Sequence, residues 1–344
     1  MMPFSRTYEE ARDTFLAAVE EGGFRPLRFR VPHEDTSDLF LDFALLRRNP
    51  KRVLLQLAGV HGIEGYAGSA VQASLLRQPV EAEGASLLFV HAVNPYGMKF
   101  YRRANGQNVD LNRNYRTGPA RPNSDYALFS SFLNPPDLGS FRREKFKALF
   151  RAFRMGKKRA AQAIASGQVS EPRGLFYMGD RVQREIQVLQ DLLQHHCGEA
   201  EEVVVLDFHT GLGAFKQEQL FVDHDVDPEA AAFTERTFAS APEKAQEQNY
   251  VNQGRLSDAI RAALPKARVR YVLQEMGARS PLKTLDALRL ENYEWQRRPA
   301  GSDRPPEIIA EMMDAFCPED EGWRRKILAA GMARWNQAES YLRG

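Results

Sequence analysis

A chain of 344 residues with 43% hydrophobic residues is long enough for one large α/β core with additions, or for two domains. A formal net charge of +2 excludes a global electrostatic case for nucleic-acid binding, and two cysteines without C-x-x-C spacing, Cys197 and Cys317, exclude a disulfide scaffold and a zinc ribbon. No apolar segment of a secretion signal opens the chain and no run is apolar enough to span a membrane, so a soluble cytoplasmic protein is expected.

Taken in order, residues 7–21 predict an amphipathic helix, with Tyr8, Ala11, Phe15 and Val19 at helical spacing. Three apolar or alternating runs follow at 27–31, 39–46 and 52–60 and predict strands. The small and helix-forming residues after Glu64 predict a helix, and 86–95 is a further strand stopped by Asn94-Pro95. Strand, helix, strand in that order argues for a parallel βαβ unit. Residues 139–165 carry Arg142, Arg143, Lys145, Lys147, Arg151, Arg154, Lys157, Lys158 and Arg159, with Phe146, Leu149, Phe150 and Phe153 interleaved at i, i+3, i+4, i+7. This predicts a helix with an apolar stripe and its cations on a solvated face, with polyanion binding as the minor reading. Two β-branched runs, 202–213 and 268–277, repeat the strand pattern, and 305–316 and 322–342 predict helices. Ligands of open α/β sheets bind beyond the carboxyl ends of the strands, where His61, His209 and Glu275 all fall.

His61 and Glu64 stand three residues apart among Gly59, Gly62 and Gly65, which allow close backbone approach to a ligand. A lone His-x-x-Glu is common by chance. A catalytic zinc site takes three protein donors and leaves a position for water, and His209, at a second strand end followed by glycines, is the candidate third. The other histidines fit other roles. His33 and His224 read as loop residues and His91 as a satisfied core histidine, while His195 and His196 end a helix whose dipole favours them there. In "DLNRN", a polar loop is the plain reading. Asp110 has the chemistry to orient a ligating imidazole, and Arg113 that of a bidentate partner for a substrate carboxylate. Glu275 is either a catalytic carboxylate or a strand-end partner for Arg279. No H-E-x-x-H, G-x-S-x-G, phosphate-binding loop or dinucleotide fingerprint is present.

His61-x-x-Glu64, "NPYG" at 94–97, Arg103-Ala-Asn105, "DLNRN" at 110–114, His209 and the late Glu275, in that order, resemble the zinc carboxypeptidases of the M14 type. The resemblance extends to the bacterial branch designated DUF2817, through "HTGLG" and "E-x-G-x-x-S-P-L", and more distantly to succinylglutamate desuccinylase and aspartoacylase. It covers 57 to about 295. It implies a mixed, mostly parallel sheet with helices on both faces, in a single domain over 1–344 with a helical insertion at about 116–200 and helical additions at about 300–344. It further implies one zinc ion per chain held by His61, Glu64 and His209, with Glu275 as general base and Arg103 polarising the scissile carbonyl. Asn112 and Arg113 would hold a substrate carboxylate, Asp110 would orient His61, and Tyr250 would cap the substrate.

The expected activity is hydrolysis of an amide or peptide bond near a free carboxylate, on a small-molecule or peptide substrate, with neither nucleic acid nor membrane as partner. An N-acyl amino acid deacylase is the alternative, towards which Thr210 after His209 leans. A catalytically inactive metal- or carboxylate-binding module is the reading from outside enzymes, and it has no use for Glu275 and Arg103. A nucleic-acid partner for the basic helix lacks a stacking motif and ranks last.

Overall fold

The computed structural model describes residues 2–32, 39–79, 84–223, 227–240, 252–298 and 302–344. His33, His224 and Tyr250 lie outside the described residues. Seven strands form one sheet: β1 (Arg25–Arg30), β2 (Phe40–Leu46), β3 (Arg52–Ala58), β4 (Ser86–His91), β5 (Glu202–Thr210), β6 (Glu218–Val222) and β7 (Arg268–Met276). Their spatial order is β1-β2-β4-β3-β5-β7-β6. The central four, β4, β3, β5 and β7, are parallel neighbours, and the two edges join them through antiparallel pairs.

The near-continuous apolar runs of the central strands follow from this placement, because a parallel sheet covered on both faces buries alternate side chains on opposite sides. Leu54, Phe89, Val204 and Phe208 face one core, closed by the helices Tyr8–Glu21, Gly65–Leu76, Pro306–Phe316 and Glu321–Arg343. Leu55, Leu57, Val203 and Val205 face the other, closed by Arg184–Cys197 and Leu256–Ala263. Phe208 is 1% exposed; its truncation to alanine would cost about 3–5 kcal/mol. The first helix begins on a capping box, in which Thr7 Oγ1 accepts from the Glu10 amide and the Glu10 carboxylate returns to the Thr7 amide.

Two elements depart from the expectation. β6 was not foreseen, being five residues long, with only Leu220 and Val222 buried. The segment 139–165 is two helices, Phe141–Met155 and Lys157–Ala165, parted at Gly156, whose φ is 89°. The first buries Glu144 and Ala148 and turns Phe146, Leu149, Phe150 and Phe153 to solvent. The apolar stripe, not the cations alone, is therefore the exposed face. His91 is a core residue as expected, with Nε2 3.0 Å from Ser69 Oγ and its ring stacked on Phe15.

Candidate metal centre

β3 ends at Ala58 and the chain turns at Gly59, whose φ of 70° suits glycine, into a 3-10 turn at Gly62–Glu64. A Cβ on Gly62 would come within 2.0 Å of the Gly97 carbonyl carbon, so only glycine lets this turn lie against the 94–103 loop. The Ile63 amide donates to the Arg102 carbonyl at 2.8 Å, which seats the turn beside Arg103. His61 and Glu64 thus enter the site from the end of one parallel strand. The neighbouring strands supply the rest: His209 and Glu275 are direct partners in the β5–β7 register.

Glu64 is the hub. Its Oε1 lies 2.9 Å from His61 Nδ1 and its Oε2 lies 2.9 Å from His209 Nδ1, while the Thr210 amide donates to Oε2 at 3.1 Å. The rings of His61 and His209 stand 4.9 Å apart. One ligand atom from each of His61, Glu64 and His209 lies within 4.8 Å of the others, and all three residues are buried. The far nitrogens are also engaged: His61 Nε2 is 3.2 Å from Asp110 Oδ1 and His209 Nε2 is 2.8 Å from Asp207 Oδ2. Imidazoles that converge through one nitrogen and are braced at the other by a carboxylate match the way protein histidines hold a metal. Glu64 and Asp110 pair with the nearly buried Arg103, and Asp110 also with the buried Arg113. Two buried imidazoles and a buried carboxylate converging on one point are a donor set that a divalent cation takes, so the residues present fit the ion.

Titration follows from the same contacts. Burial alone would raise Glu64, but His61 and His209, by charge and hydrogen bond, hold it far below the usual carboxylate range. Burial works against the His209 imidazolium, yet Asp207 and Glu64 outweigh it and push His209 well up. Asp110 is held well below its ordinary value against burial by Arg103, Arg113 and His61. Glu275 moves the other way, up to about 8, through burial and then the charge of Glu64. Its Oε1 accepts from the Leu212 amide at 2.9 Å. Arg279 pairs with Asp314.

Arg103 donates from Nε to Asp110 at 3.0 Å and reaches Glu64 with Nη1 at 3.5 Å. Arg113 is placed differently from a substrate-facing arginine. It is 1% exposed, with Nη1 2.5 Å from Asp110 Oδ2 and Nε donating to the Ala165 carbonyl at 2.7 Å. Asn112 is also turned inward, its Oδ1 accepting from the Leu256 amide at 3.2 Å. Arg113 therefore braces the loop, and Asn112 ties it through Oδ1 to the start of the helix Leu256–Ala263. Beyond them, residues 115–121 with Gln253, Gly254, Asp258, Arg261 and Ala262 line a cleft of about 460 Å³.

Sequence reasoning missed Asp207. The signal was available: two residues before His209 on one strand, it shares that residue's face. It also accepts from the Tyr271 hydroxyl, and burial followed by the Asp207 charge lifts the Tyr271 phenol well above its usual range. Arg102, beside Arg103, was passed over too. It is 1% exposed, donates to Glu291 at 2.6 Å and lies 3.7 Å from the Trp295 ring, fixing the backbone that carries Arg103.

No curated protein matches this chain. Among solved structures, it is similar to bovine thrombin-activatable fibrinolysis inhibitor in complex with tick carboxypeptidase inhibitor, at 11% identity and a TM-score of 0.50, covering 98% of this chain and 97% of that one. Carboxypeptidase A from Helicoverpa armigera is similar at 14% identity and a TM-score of 0.46, covering 95% of this chain and 73% of that one. Murein-tripeptide amidase MpaA from Escherichia coli O157 is similar at 17% identity and a TM-score of 0.42, covering 81% and 95%. Likeness at this level of identity speaks to the fold, which is that of the zinc carboxypeptidases, as the sequence motifs implied. The profile of the proteins of unknown function designated DUF2817 matches residues 4–330, and the chain belongs to that family.

Proposed function

We propose that the protein is a zinc-dependent hydrolase that cleaves an amide or peptide bond near a free carboxylate, in the manner of a carboxypeptidase. The observation that carries this reading is the convergence of His61 Nδ1 and His209 Nδ1 on the two oxygens of Glu64, with Glu275 across the strand from His209. His61, Glu64 and His209 would hold the ion. When bound, zinc would supply Lewis acidity and bring water towards ionisation near neutral pH.

The chain's own groups do the rest. Glu275 would take the proton from the attacking water and return it to the leaving amine, a shuttle its place across the strand from His209 allows. Arg103 would donate to the oxygen on which charge develops, a contribution of several kcal/mol in a water-poor site. Asp110 and Asp207 orient the two imidazoles. Arg113 would act on the substrate's carboxylate only after leaving Asp110 and Ala165, so we assign it the shape of the loop, whereas Asn112, tied through Oδ1, would offer its Nδ2 to that carboxylate. Tyr250 stays a candidate cap on the strength of the motif alone.

An N-acyl amino acid deacylase is the second reading, towards which the motif leans through Thr210 directly after His209. Metal content of the purified protein, with His61→Ala as control, tests the centre. A panel of peptides and N-acyl amino acids then separates the two activities. About one zinc per chain, lost in the variant, supports the proposal; no uptake of zinc would end it.

A further inference from the structure

The helix Phe141–Met155 shows its largest apolar side chains to water. Phe146 is 74% exposed, Phe150 62%, Phe153 86% and Leu149 44%. Their spacing puts all four on one face, and the opposite face carries Glu144 and Ala148, which are buried. Glu144 accepts from Ser131 Oγ at 2.8 Å, so the helix is attached to the protein by its small and polar side. Isolated exposed apolar residues are ordinary, but four large ones in a continuous stripe mark a surface that meets something.

The charge around the stripe says what. Residues 142–159 hold nine cations and one acid, a net +8 in a chain whose total is +2. At 100° per residue, Arg142 falls within the apolar face, Arg143, Lys147 and Arg154 border it on one side, and Lys145 borders it on the other. The Arg154 guanidinium lies 5.9 Å from the Phe150 ring. Arg142 and Lys157 are exposed and have no ion-pair partner among the described residues. A second copy meeting this face across a two-fold axis would set one excess of cations against another, even with Lys145 and Arg159 paired to Asp286 and Asp125. A nucleic acid would match the cations and leave the stripe in water.

An anionic lipid surface matches both. Helices that lie in a membrane interface bury a Phe- and Leu-bearing face at the headgroup boundary and set Lys and Arg among acidic headgroups. That no helix among the described residues is long and apolar enough to cross a membrane bears on spanning, not on this attachment. We propose that the helix Phe141–Met155 docks the protein peripherally on an anionic lipid surface, with Phe146, Leu149, Phe150 and Phe153 at the acyl boundary and the flanking cations on the headgroups. The companion helix ends at Ala165, whose carbonyl accepts from Arg113, so the docked surface is tied to the loop that braces the candidate centre.

The test is co-sedimentation of the full chain with vesicles of phosphatidylcholine, alone or mixed with phosphatidylglycerol. Binding is expected to be about tenfold or more tighter to the mixed vesicles and to weaken as salt is added. The triple variant F146S/F150S/F153S, folded by circular dichroism because the three side chains point outward, should lose about tenfold or more. R142A/R154A/K157A should lose the preference for phosphatidylglycerol. No binding to mixed vesicles, equal binding to both kinds, or unchanged binding by the serine variant would each overturn the proposal. A wild-type dimer that the serine variant splits, with no vesicle binding, would give the stripe to a second copy. Retention of a DNA duplex in place of vesicles would give the cations to nucleic acid.

Discussion

Asp207 accepts from His209 Nε2 at 2.8 Å while the other nitrogen of the same ring faces Glu64 at 2.9 Å. The carboxylate therefore selects the tautomer and the ring orientation that present Nδ1 to the centre. Asp207→Asn keeps the size and removes the charge, and zinc affinity measured by competition with a chelator should fall about 10- to 100-fold. Tyr271→Phe removes the other donor to Asp207 and leaves the imidazole braced, so its zinc affinity should stay within a few-fold. Equal losses in the two variants would mean that Asp207 acts through general stability and not through His209.

Glu275 makes the second prediction. It sits across from His209 in register but is no member of the three-residue cluster, so Glu275→Gln should retain stoichiometric metal. Turnover on whichever amide substrate the panel identifies should drop about 10²- to 10⁴-fold, the usual worth of a positioned proton shuttle. Retained turnover would remove Glu275 from the chemistry, and loss of the metal would make it a ligand.

The sheet and the metal group were legible because each rests on local pattern. Apolar runs fell at 52–60, 202–213 and 268–277, and each central strand there begins at the expected residue. His61 and His209 stood out because a polar residue followed by glycine at a strand end has little packing rationale. What was not legible depends on partners distant in sequence. Arg113 looks like any loop arginine until the Ala165 carbonyl, 52 residues later, closes on it. Helical spacing located the stripe of Phe146, Leu149, Phe150 and Phe153 but could not tell which side of the helix the protein covers. β6 escaped because Glu218 and Gln219 open a strand of five residues with only two buried side chains. Asp207 was hidden by its neighbours: in "VVVLDFHT" an acidic residue two before the histidine reads as an interruption until the strand's period of two is applied.

Arg113 provides a direct contest between the motif and the geometry. If it reads a substrate carboxylate, Arg113→Ala should weaken carboxylate-bearing substrates and spare their amidated analogues. Its burial and its contact with Asp110 predict the other outcome, an equal loss on both, because Asp110, left with Arg103 as its guanidinium partner, would hold His61 less firmly. The expected size is about 10-fold or more in kcat/KM on each substrate, with a parallel loss of zinc affinity. A loss confined to the free carboxylate would restore the substrate-binding role.

The last prediction concerns stability against pH and lies away from the metal group. His91 is fully buried between Ser69 and Phe15, opposite Asp42 in the β2–β4 register. Burial pushes its imidazole down to about 4 from the usual 6.5, and the nearby Asp42 charge recovers only part of the shift. The unfolded chain therefore binds a proton at His91 below pH 6.5 while the folded chain does not. The His91 contribution is complete above 6.5 and is lost progressively as the pH falls towards 4, at about 1.4 kcal/mol per unit and on the order of 3 kcal/mol in all. His91→Gln cannot titrate. Urea midpoints for the two proteins should accordingly converge on acidification, the wild type losing stability faster than the variant between pH 6.5 and 4.5. Parallel curves would show that the buried imidazole charges normally, with Asp42 as its counter-ion, and that its burial imposes no cost on folding in acid.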